Sequence, residues 1–391
     1  MNKQQAKENY FMSQPHQPFF ILGVINAILM MIIFALSYKS TVNLHIDMLT
    51  FHVYSLVYLV FTNVFIGFLF TTFPKFNQAQ LLSKPYYTRL FFSQVIGTTL
   101  FVIGLFFSIY IVVFAMALLF VSQLFIVLKL QEIYKEGTAP DKSDSFWILA
   151  ANWFGLVANL FFILSLFVPS LLSTAINVSF YLYIIFLAFS VGQRMIPFFS
   201  HSFAIKNENF MKIIAVLFLF KTLFSILDIK IVEIVIDILL AVYLAYEFSR
   251  WELKPFNSPP ILWVLHLSLF WLPMAFLLSA ISLSAELFLD TSFYFLNIHL
   301  LGIGFLTTLL IGFGTRVTLG HAGQPPNADK YATTIFVFIQ VVVLLRGLLS
   351  FNEAFGWNLN FFFDISVTAW IVLFLVWAFR YSRVLVFGSK L

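Results

Sequence analysis

The chain has 391 residues, 61% of them hydrophobic and only 10% charged, with a net charge of +5 and a mean hydropathy of +0.96. A soluble domain carries about 25% charged residues, so a deficit spread along the whole length excludes a globular protein with one anchor and implies an all-α, polytopic membrane protein whose first partner is the lipid bilayer. The absence of cysteine excludes disulfides, thiolate metal sites, iron–sulfur clusters and covalent haem attachment, leaving His, Met, Tyr or carboxylate to hold any metal.

In chain order, residues 1–18 are polar and read as a tail. The apolar run after them lacks a small-residue exit and reads as a retained span, not a cleaved signal. Twelve spans are predicted, at 19–37, 51–73, 89–106, 109–129, 145–167, 171–193, 209–227, 230–248, 260–282, 292–316, 331–350 and 361–380. Each is near the ~20 residues a bilayer core demands. The run 89–129 has almost no polar break, and dividing it at Ser108 rests on length alone. The longest loop, 131–145, is charged and reads as a cytoplasmic linker. The expected organisation is a tail at 1–18, one twelve-helix transmembrane domain at 19–382 and a tail at 383–391. No repeat period is visible, and the 53 phenylalanines are spread too evenly to mark a site.

Lysine and arginine set the orientation. Of the 22 basic residues, 18 fall on the side of the N-terminus and 4 (Lys39, Lys221, Lys230 and Arg346) on the other. Both termini are therefore expected in the cytoplasm. The basic residues belong to membrane-flanking loops, so the net charge carries no sign of a nucleic-acid partner.

That topology sorts the seven histidines. His45, His52 and His299 lie towards the outer side, and His16, His201, His266 and His321 towards the inner side. An imidazole inside a span is costly to leave unpaired, so it is a functional hypothesis by default. His299 near the start of the tenth span, His52 in the first turn of the second and His266 six residues into the ninth are each open to two readings, a metal or haem ligand or a structural hydrogen bond. His321 is open to a site role or a place in an interfacial loop. His16 and His201 read as flanking residues and His45 as exposed. His299 and His321 are 22 residues apart, about 33 Å along a continuous helix, so they cannot share one metal.

Arg194 and Arg316 end the sixth and tenth spans, where an arginine snorkels to headgroups or grips carboxylates such as haem propionates. Lys221 and Asp237 fall at similar depth on the seventh and eighth spans, as an ion pair or as part of a proton or ion path. The glycines at 302, 304, 312 and 314 permit close helix packing or the approach of a flat cofactor. There is no Walker A loop, nucleophile elbow, GxGxxG unit or HExxH motif.

The segment HLLGIGFLTTLLIGFGTRVTLGHAGQP, residues 299–325, closely resembles the NnrS family of bacterial membrane proteins at His299, Gly304, Gly312, Thr315, Arg316, Leu319, Gly320, His321, Gly323 and Pro325. Four further stretches are similar to family segments: QPFFILG at 17–23, with Gln17 where Arg is usual, GFLFTTFPKF at 67–76, GQRMIPFF at 192–199, and LWVLHLSLFWLP at 262–273, which places His266. In one place the chain departs. The family's second span opens WHxHEM, whereas here Tyr54 and Ser55 stand where the second His and the Glu belong. The resemblance implies a haem- and copper-containing protein of the bacterial inner membrane connected with nitric oxide and nitrosative stress. It implies His52 and His299 as outer ligands, His266 and His321 as inner ones, Arg194 and Arg316 as propionate or anion partners, and haem b and copper as cofactors. Two other expectations stand beside it: a relative of the haem–copper nitric oxide reductases or oxidases, and a secondary transporter that uses Lys221 and Asp237.

Overall fold

The computed structural model describes residues 10–202, 204, 207–255 and 257–391. Lys3, Lys7 and Lys206 of the charge count, and residues 1–9 of the expected tail, lie outside the described residues. The described residues hold twelve long helices and no strand: α1 (His16–Tyr38), α2 (Met48–Phe76), α3 (Lys84–Phe107), α4 (Ile109–Glu136), α5 (Ser143–Ser165), α6 (Leu171–Phe199), α7 (Phe210–Ile226), α8 (Lys230–Arg250), α9 (Pro260–Leu289), α10 (Leu296–His321), α11 (Lys330–Phe355) and α12 (Phe361–Phe387). Each coincides with one predicted segment. Ten are long and apolar enough to cross a membrane. The two that fall short are α7, with 17 residues, and α8, which carries Lys230, Glu233, Asp237, Glu247 and Arg250.

The boundaries have local causes. Asp47 caps α2 by accepting from the Thr50 amide at 2.8 Å, and Asp329 caps α11 by accepting from Ala332 at 2.8 Å. Ser108 is extended, at φ −169° and ψ 134°, and its hydroxyl accepts from the Tyr110 amide at 3.3 Å. One polar residue therefore breaks the 89–129 run, because it ends α3 and caps α4. Gly356, at φ +61°, closes α11 in the left-handed conformation that suits glycine.

Three helices are not uniformly α. A π-type stretch interrupts α2 at Ser55–Phe61, α6 at Val178–Ile185 and α10 at Leu300–Thr307. Each has a short α lead and then an α segment of 15, 14 and 14 residues. Where a π turn returns to α geometry, the carbonyl ladder slips by one residue. In two of the three, threonine hydroxyls add a donor at the slipped carbonyls: Thr62 Oγ1 donates to Val57 O and Thr307 Oγ1 to Gly302 O, both at 2.7 Å, and Thr308 Oγ1 donates to Ile303 O at 3.2 Å.

By contacts the chain forms two compact units. The first holds the described residues up to Ile184 together with 318–324 and 374–391. Within it α1 packs on α2, α3 on α4, α4 on α5, and α5 on the first turns of α6. Its interior contains a belt of hydrogen-bonded polar groups. The Tyr58 hydroxyl donates to Gly155 O at 3.0 Å, Asn159 Nδ2 donates to Gln123 Oε1 at 2.8 Å, and Gln94 Nε2 donates to Ser122 Oγ at 3.0 Å. Tyr183 lies 2.8 Å from Thr62 Oγ1. Since the Thr62 proton is committed to Val57, Tyr183 is the donor.

The second unit holds 185–317 and 325–373. There α7 and α8 form a hairpin, α8 packs on α9, and α9 and α11 pack on the π stretch of α10. A Cβ on Gly304 would meet the Trp271 ring at 2.8 Å, and one on Gly312 would meet Leu265 at 2.7 Å. At these two positions the missing side chain lets α9 seat against α10.

Candidate metal and cofactor sites

In the first unit, His16 and His321 come together. His16 opens α1, is 1% exposed, and its ring centroid lies 4.5 Å from that of His321 at 48° between planes. His321 is the last residue of α10. The Nδ1 atom of His16 is buried without a hydrogen bond, Phe20 stands edge-on to its ring at 5.7 Å, and Lys75 is a nearby cation. A buried, hydrogen-bond-capable nitrogen without a partner is costly, and an imidazole in that condition is suited to a metal. Sequence reasoning took His16 for a flanking residue. Its one visible signal is its place in the first turn of an apolar run. What it faces is set by a residue from the far end of the chain.

Also in this unit, His52 is half-buried and stacks on Phe34, with centroids 4.2 Å apart. Tyr54, at the position where the resembling family has its second His, is fully buried. Its ring lies 4.9 Å from Tyr58 and 5.3 Å from Phe101, and its hydroxyl donates a long bond to Asn159 at 3.4 Å. Aromatic packing fills the place that an imidazole would take.

In the second unit, His299 stands at the α-to-π junction of α10. Its Nδ1 lies 2.9 Å from Phe295 O. A carbonyl only accepts, so the ring proton sits on Nδ1. A carbonyl-oriented ring of this kind is the usual support of a metal-ligating histidine.

His266 is 2% exposed, and its Nε2 lies 2.6 Å from Ser200 Oγ. It lines a cavity of ≈ 440 Å³ with Ser200, His201, Glu252, Lys254 and Ser258. His201, also read as a flanking residue, therefore lines a polar hollow, where its own backbone is left-handed at φ +50°. The guanidinium of Arg316 stands 4.0 Å over the Phe199 ring, beside the serine that meets His266. Such stacking holds the fork in place without using up its donors. Arg194 is half-buried on α6, five residues before Phe199.

The expected Lys221–Asp237 pair is present with a third member. Lys221 Nζ donates to Asp237 Oδ2 at 2.8 Å and to Glu233 Oε2 at 2.9 Å, and Ser225 Oγ donates to Glu233 Oε2 at 2.6 Å. The i, i+4 spacing of Glu233 and Asp237 was the signal that could have found it.

Among the described residues no three His, Cys, Asp or Glu side chains converge on a point that a metal ion could take. Compared with known proteins, the chain matches a family model described as NnrS protein over residues 10–387. No curated protein matches it.

Proposed function

As the chain belongs to the NnrS family, we propose that it is a multi-pass haem- and copper-binding protein of the bacterial inner membrane that acts in the nitric oxide response and in resistance to nitrosative stress. The observation that supports this best is the pairing of buried His16 with His321. The two rings, with centroids 4.5 Å apart, are too close to take a haem iron between them, so this pair suits soft monovalent copper, which accepts imidazole nitrogen, and His299 is left to serve the haem, whose iron needs only one or two protein ligands. A bound haem iron or copper supplies a centre that binds nitric oxide and exchanges an electron with it.

The residues would divide the work as follows. His321 and His16 hold one group at the end expected to face the cytoplasm. His299, with Nδ1 tied to Phe295 O, would serve the haem near the other end of α10, and His52 is an outer ligand candidate within its own unit. His266 serves the polar cavity beside Ser200, and Arg194 and Arg316 grip propionates or another anion. All twelve helices cross the bilayer in this reading. The charges of α8 do not prevent it, because Glu233 and Asp237 are buried against Lys221. That same buried triad favours a second reading, transport coupled to an ion.

Optical spectra of protein purified from haem- and copper-replete cells test the proposal. A Soret band is expected in the native protein, with loss of most of it in His299→Ala at unchanged helicity. A colourless, metal-free preparation from cells that still resist nitric oxide would overturn the cofactor reading and favour transport.

A further inference from the structure

We propose that Lys221, Glu233 and Asp237 form a proton-binding site, in which one proton beyond the lysine's own is held on Glu233 or Asp237. The inference stands apart from the haem and copper reading. The side chains of Lys221, Glu233 and Asp237 are 1%, 8% and 0% exposed, so one ammonium faces two carboxylates out of reach of water. With all three ionised, the cluster would carry an uncompensated negative charge in a medium that penalises it heavily. One added proton makes it neutral. Like-charged carboxylates competing for one partner take up a proton for the same reason.

The hydrogen bonds leave room for that proton. Lys221 and Ser225 both donate to Glu233 Oε2, and Lys221 donates to Asp237 Oδ2. Asp237 Oδ1 is buried without a well-formed hydrogen bond, and Ser279 of α9 sits beside this carboxyl. The other charged groups near the cluster lie at its mouth. Lys230 is paired with Glu286 of α9 at 2.9 Å, with side chains 29% and 39% exposed, and Asp228 lies in the exposed α7–α8 turn.

Inward from the mouth the groups form a series. Glu233 lies nearer the turn, and Asp237 lies one helical turn deeper. Ser279 Oγ accepts from Asn297 Nδ2 at 3.0 Å, and Asn297 is two residues before His299. Hydrogen-bonding groups therefore run from the α7–α8 turn to the first turn of α10. The step is a reversible protonation of a carboxylate, with no electron transferred.

Infrared spectroscopy of the full-length protein in lipid at neutral pH, in water and in heavy water, tests the site. The native protein is expected to show the deuterium-sensitive carbonyl stretch of one protonated carboxylic acid. Glu233→Gln and Asp237→Asn each leave one carboxylate for the lysine and lose that band. Lys221→Met leaves two neutral acids and raises it about twofold, since neither can be ionised without a partner. Circular dichroism identifies any variant that fails to fold, and the remaining two then decide. A native spectrum that none of the folded variants alters would overturn the proposal. So would a native protein without the band that is stabilised by sodium but not by choline, because the balancing charge would then be a metal cation. The presence or absence of a Soret band affects neither outcome.

Discussion

At the scale of the residue, the site turns on imidazoles whose partners lie far away in sequence. His16 meets His321 with its Nδ1 buried and unbonded, so removing either ring should empty the same position. We expect His16→Ala to lower bound metal at that end at least about tenfold, the scale on which lost metal-site support is felt, at unchanged circular dichroism. Metal analysis after equilibrium dialysis measures it, and native stoichiometry in the variant would remove His16 from the ligand set. A second test concerns packing. A Cβ on Gly155 would lie 2.5 Å from the Tyr183 ring, and that ring cannot retreat without giving up its bond to Thr62. Gly155→Ala should therefore cost about 1–3 kcal/mol, read as a fall in the melting temperature in detergent. An unchanged melting point would mean that Tyr183 is not held as described.

At the scale of the element, α2, α6 and α10 share one build: a short α lead, a π stretch of seven or eight residues, and a longer α segment. Such stretches persist where surrounding contacts over-determine them, and they concentrate at functional sites. In this chain two of them follow closely after His52 and His299. The Thr307 hydroxyl closes the slip in α10 by donating to Gly302 O at 2.7 Å. Thr307→Val keeps the shape and removes this half-buried hydrogen bond, at a cost of about 0.5–1.5 kcal/mol. Hydrogen exchange of the amides around 300–308 should become faster than in the native protein while the rest of α10 is unaffected. Uniform protection would show that the threonine is not what holds the π geometry.

At the scale of the whole molecule, ten helices meet the length and apolarity of a span, and the α7–α8 hairpin decides whether twelve cross. The chain has no cysteine, so single-cysteine labelling needs no engineered background. Leu227, 54% exposed in the α7–α8 turn, should react as Leu227→Cys with a membrane-impermeant maleimide applied outside spheroplasts. Thr138→Cys, in the loop after α4, should react only after permeabilisation. Labelling of Leu227→Cys only from the inside would remove α7 and α8 from the set of spans.

The helical architecture was legible in the amino-acid order, because apolar runs near the length of a bilayer core leave the backbone no other way to satisfy its hydrogen bonds than local helices, and ten of the helices meet that measure. The division at Ser108 was reached on length alone, and only the structure shows that this serine caps α4. The family motif around His299, Arg316 and His321 was equally visible, since it is contiguous in the chain. Three things were decided only by the tertiary structure: that His16 is buried against His321, that Glu233 joins Lys221 and Asp237, and that Tyr54 is packed into an aromatic core. Each depends on which side chains a folded unit brings within a few ångströms, and hydrophobic periodicity carries no information about that. The π stretches were hidden for a related reason. Their cause is a one-residue slip fixed by neighbouring helices and a threonine hydroxyl, and an apolar run reads the same with or without it.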